Sequence, residues 1–181
     1  MYERLFVRFA ALDAVEPGTN TLLFVRLIRY RGETIILPDG TTLRAGDPAG
    51  ELHFHSSTLT TFHSVGGHRA STTRLAVVAL HRTRQALRHL ARYVSEKEKY
   101  RSVQVFFGKT LLYRGALGLG FTVTELLPGR EKTFLSLYLR WLLAVYHPKG
   151  WRRLADNSAA LVPKGVWISR RQLLHHYQGD S

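Results

Sequence analysis

A chain of 181 residues with 45% hydrophobic and 11% aromatic side chains suits one globular domain and excludes the disordered class, which lacks that apolar bulk. A net charge of +13 argues for an anionic partner: nucleic acid, anionic lipid or an acidic cell-wall polymer. The absence of Cys excludes a disulfide framework, a thiolate metal site and a Cys nucleophile.

In chain order, Met1 to Arg8 is interrupted by Glu3 and Arg4 too early for a signal-peptide apolar core, so the chain reads as cytoplasmic. Residues 21–30 are rich in β-branched and aromatic residues and predict a strand, with residues 33–37 as its partner. Pro38-Asp39-Gly40 is a turn signal, because Pro presets φ and Gly accepts a positive one. Residues 41–44 and 50–56 add two short strands, giving an antiparallel meander. Residues 57–71 are polar and Gly-bearing, a loop. Thr72 or Thr73 caps a helix running to about residue 96, with Leu75, Ala79, Ala86, Leu90 and Val94 on one apolar stripe.

Residues 102–107 and 118–127 predict strands, and 109–115 a hairpin or further short strand between them. Residues 130–146 predict a helix, interrupted by Arg140 and too short to span a bilayer. A short helix at 151–156 and a strand at 166–168 follow. Ser169-Arg170-Arg171-Gln172 has capping-box spacing for a last helix through about Tyr177. This order predicts an α+β fold: an antiparallel β-meander with a long amphipathic helix and C-terminal helices packed on the sheet. No linker divides it, so one domain covers 1–181, with its core at about 20–177.

Two patterns carry chemistry. On a strand, Glu51, His53 and His55 share one face, opposite Leu52 and Phe54. Two His and a carboxylate can hold a divalent metal such as Zn²⁺ or Fe²⁺ with open positions for water or substrate. Steps of about 7 Å along a strand hinder three ligands from meeting one ion, so His63 or His68 would complete a partial set more easily. The second pattern is Arg74, Arg84, Arg88 and Arg92, within roughly one quarter of the predicted long helix and with no acid on that stripe. Such a row suits phosphate contacts. Its bland counterpart is a solvated face in an Arg-biased chain, where only 6 of the 26 basic residues are Lys.

Lys109 and Arg114 flank Gly115, Gly118 and Gly120 as a further candidate anion-binding nest, against the alternative of a tight turn. Gly108-Lys109-Thr110 ends like a P-loop, but Val103 stands where that loop needs its first Gly. His63-Ser64 through His68 has one residue too many for a His-Ser-x-x-His deacetylase motif, and the accompanying carboxylates are absent. No Gly-x-Ser-x-Gly elbow occurs.

Arg29-Tyr30-Arg31-Gly32, Leu37-Pro38-Asp39-Gly40, Gly46-Asp47 and Glu51 to His55, followed by Gly108 to Ala116, Leu119-Gly120-Phe121 and Trp167 to Arg170, resemble the YkoP-like domain family in their shared order. The resemblance covers about residues 20–177. Some members of that family carry a polysaccharide deacetylase label through association with deacetylase domains. The resemblance therefore implies a setting near the bacterial cell envelope, without the deacetylase residues themselves. Three readings stand: a non-catalytic module binding an anionic partner, a metal-dependent hydrolase or deacetylase-like enzyme using Glu51, His53 and His55, and, behind these, a structural partner domain that assembles through exposed apolar surface.

Overall fold

Strand β2 (Leu23–Arg29) carries the β-branched and aromatic run, and two turns lead the chain back beside it. The first closes the hairpin of β3 (Ile35–Ile36) and β4 (Thr42–Leu43). There the Gly40 N–H donates to the Leu37 carbonyl at 2.9 Å, and the Leu37 N–H donates to Thr41 at 2.9 Å. Gly40 has φ +83°, the left-handed residue that follows Pro38-Asp39 in a three-residue hairpin loop. The second turn, at Gly46, feeds β5 (Pro48–Phe54), antiparallel to all of β2, with Arg26 opposite Glu51 and Phe24 opposite His53. The short β1 (Asp13–Ala14) pairs antiparallel with the other edge of β2.

The computed structural model describes residues 12–16, 21–54, 72–110, 113–125 and 163–179, and for 72–76 only the backbone. The expected loop at 57–71 and helices at 130–146 and 151–156 lie outside the described residues. The chain divides into two compact units, residues 1–108 with 167–181 and residues 109–166.

In the first unit, α1 (Thr72–Glu96) connects β5 to β6 (Val105–Thr110), and these two strands are parallel neighbours. A meander does not provide that pairing. Parallel strands need a long crossover, and the 25-residue helix is part of it. Gly50 stands opposite Phe106 in this pair, and a Cβ there would lie 2.3 Å from the Phe106 ring. The strand order continues to β8 (Lys164–Ser169), giving β1-β2-β5-β6-β8. The α+β class is borne out, with a mixed sheet.

Helix α1 packs against β2 and against α3 (Arg170–Tyr177). Its stripe of Ala86, Leu87, Leu90, Ala91 and Val94 is buried, as are Leu23 and Val25 on β2. A fully buried Leu or Val contributes roughly 1.5–3 kcal/mol. Another cluster joins Tyr30, Leu37, Leu43, Ala49, Val105, Phe107 and Trp167. Its rings are ordered: Phe107 stacks on Trp167 at 4.9 Å and 20°, and Tyr30 meets both edge-on at 5.9 and 6.0 Å.

Asp39 links the β3–β4 hairpin to the start of α3. Its carboxylate accepts the Ser169 hydroxyl at 2.6 Å and the Thr41 N–H at 3.0 Å. Ser169 caps α3 by accepting the Gln172 N–H at 3.0 Å. This is the forward half of the expected capping box; among the described residues the Gln172 side-chain oxygen finds no partner.

In the second unit, residues 113–117 form one short helix, α2 (Tyr113–Leu117), where the sequence predicts a hairpin or strand. The Gly120 N–H donates to Leu117 and the Phe121 N–H to Ala116, with Gly120 at φ +80°. That is a Schellman closure, which lets α2 end and β7 (Thr122–Glu125) begin beside β8.

Candidate anion-binding site

Positions 74, 84, 88 and 92 of α1 fall within an arc of about 80° at 3.6 residues per turn. Arg84, Arg88 and Arg92 are exposed there, away from the buried stripe; the side chain of Arg74 lies outside the described ones. Successive guanidinium-bearing positions from 84 to 88 to 92 are separated by about 6 Å along the axis. Among the described residues, Arg84 and Arg92 have no carboxylate partner. Like charges at this spacing repel one another, and an arriving anion relieves that repulsion.

The end of α3 lies beside this row. Gln178 donates to the Ser95 hydroxyl of α1 at 3.4 Å. Burial raises the Tyr177 hydroxyl above its ordinary pKa, while the nearby charges of Arg84 and Arg88 oppose that rise. His175 and His176 are exposed, with ring centroids 5.3 Å apart, and His176 meets the Tyr177 ring at 6.3 Å. Through Tyr177 the aromatic end of α3 therefore reaches the cationic row of α1.

Arg170 fixes this helix pair. Its guanidinium donates to the Val94 carbonyl at 3.0 Å and the Tyr100 carbonyl at 2.8 Å, closing the C-terminal end of α1. Burial, with Arg101 nearby, lowers its pKa. Tyr100 is fully buried and its hydroxyl donates to Asp13 and Val25. Burial and Asp13 raise that hydroxyl far above its ordinary range.

The strand pattern is partly realised. Glu51 and His53 do share a face, and His53 Nε2 lies 3.3 Å from Glu51 Oε2, without the alignment of a hydrogen bond. The same carboxylate accepts from Arg26 Nε at 3.1 Å and from its terminal nitrogen at 2.5 Å. The His53 contact chiefly, against a rise from burial and with help from Arg26, lowers Glu51 to about 2. A carboxylate already holding a guanidinium is a poor resident ligand for a dication, since the two cations compete for it. His55, His63 and His68 lie outside the described residues, and no group of three metal-binding side chains occurs among the described ones.

Lys109 and Arg114 are exposed in the second unit. The amides of Gly120 and Phe121 are committed to the end of α2, so Gly120 terminates that helix, and Gly115 lies within it. Lys164 pairs with Glu125 at 2.5 Å and sits 4.6 Å from the Tyr113 ring centre.

The sequence reading missed Tyr177, His175 and His176. Their only local signal is the His-His-Tyr run ending the last helix, and nothing in the sequence docks that helix beside α1. Arg26 was missed for a similar reason, because its partner is set by the β2–β5 register.

A family model described as the YkoP domain matches residues 1–177. A curated relative, the uncharacterized protein YkoP of Bacillus subtilis (strain 168), is 26% identical over 176 residues, covering 96% of this chain and 91% of that protein. No solved structure matches. No helix among the described residues is long and apolar enough to cross a membrane.

Proposed function

The chain belongs to the YkoP domain family, and because that name carries no activity, we propose from its surface chemistry a non-catalytic binding module for an anionic partner. The observation that carries the reading is the row of Arg84, Arg88 and Arg92, exposed on α1 at regular spacing. Arg74 extends the row by its position on the helix. Lys109 and Arg114 form a separate, secondary basic pair in the second unit. The net charge of +13 supplies long-range attraction for any polyanion, and the row gives it a place to settle. The proposed site of action is the cytoplasm, and the family resemblance adds a proposed link to cell-envelope polysaccharide metabolism.

Retention on an immobilised phosphate polymer at low salt tests the reading. The wild-type chain is retained and elutes with rising salt, and an Arg84→Gln/Arg92→Gln variant elutes earlier. Wild-type protein that flows through at low salt contradicts it.

One observation favours a second reading. The approach of His53 to Glu51 at 3.3 Å resembles half of a metal site, and with His55 it would serve a metal-dependent hydrolase. Elemental analysis of purified protein separates the two: the binding-module reading expects no stoichiometric transition metal, and a stoichiometric metal lost in His53→Ala favours the hydrolase.

A further inference from the structure

We infer that the anion is single-stranded nucleic acid, its phosphodiester chain laid along the α1 arginine row and its bases against the aromatic end of α3. This rests on the reading of α1 as an anion-binding face. Three features select the partner.

The first is the combination of side chains. Arginines at steps of about 6 Å present forked donors to successive anionic groups along a line. Beside Arg84 and Arg88 stands Tyr177, and the exposed rings of His176 and His175 continue from it along the end of α3. Basic tracking with aromatic rings is the chemistry of single-strand binding, since every unstacked base offers a π face. A polyol phosphate or inorganic polyphosphate has no use for the rings.

The second is what α1 lacks. A helix that lies on a membrane buries its apolar side in the lipid. The apolar stripe of α1 is inside the protein, and on its exposed side the large hydrophobic among the described residues is Val77. The third is the flank. A major groove about 12 Å wide admits one helix of about 10 Å, and α3, packed on α1, brings Tyr177 up to the row that would enter it. A flexible strand follows such a surface; a duplex does not.

Fluorescence anisotropy of a labelled oligothymidylate with the full chain tests this, with inorganic polyphosphate, a duplex of matched length and phosphatidylglycerol vesicles as competitors. The oligothymidylate binds more tightly than any of the three at equal phosphate concentration. His176→Ala and Tyr177→Leu each weaken it about tenfold and leave polyphosphate affinity unchanged. Arg84→Gln weakens both polymers. His176 is exposed, so its replacement keeps the test valid should Tyr177→Leu perturb the fold. If the oligothymidylate binds no better than polyphosphate, duplex or vesicles, or ignores the α3 variants, the inference falls while the anion-binding reading stands. If none of the polymers binds, both fall.

Discussion

At the scale of single residues, Glu51 has the sharpest consequence. Its ordinary value of 4.5 falls to about 2 in the folded chain, so between those values the unfolded chain binds more protons. The stabilisation is complete above about pH 4.5 and is lost as pH falls toward 2. Replacing Glu51 by Gln lowers stability at neutral pH by about 1 kcal/mol, after discounting the shift for solvent screening. Urea unfolding across pH 2–7 checks this: the gap between wild type and variant closes on the acid side, and a gap constant with pH contradicts the assignment. The shared strand face of Glu51 and His53 was legible from alternation. The Arg26 partner was not, because register is a property of two strands and the intervening hairpin decides it.

At the scale of elements, the β5–β6 pairing and the α1–α3 docking hold the candidate surface in place. Gly50→Ala places a methyl against Phe106 at a separation no side chain tolerates and costs about 1–3 kcal/mol. A second substitution, Phe106→Leu, recovers part of it in the double variant. Additive losses in chemical denaturation would contradict the contact. Arg170→Met leaves the Val94 and Tyr100 carbonyls without their charged donor and costs about 2–3 kcal/mol. Hydrogen exchange then quickens in the last turn of α1, and unchanged protection there contradicts the capping role.

These elements also mark where sequence reading reached its limit. The Pro38-Asp39-Gly40 turn, the Ala86, Leu90 and Val94 part of the α1 stripe and the Ser169 cap are local, and each is found where its residues predict. An antiparallel meander was expected over residues 21–56 and no parallel neighbour for β5, because alternation says which way side chains point and nothing about which strand lies alongside. The stretch at 109–115 is mixed in period, and Tyr113–Leu117 became helical once Gly120 could close it.

At the scale of the whole molecule, a charge of +13 attracts any polyanion, so affinity alone does not locate the site. Localisation is read from salt dependence. Each phosphate neutralised on a single strand contributes about 0.7 to the slope of log affinity against log salt. The most direct measurement compares that slope for oligothymidylate between wild type and Arg84→Gln/Arg92→Gln. The wild-type slope is expected to be about −2 or steeper, and its magnitude to fall by about 1.4 in the double variant. Equal slopes for the two proteins, or an affinity indifferent to salt, would contradict it.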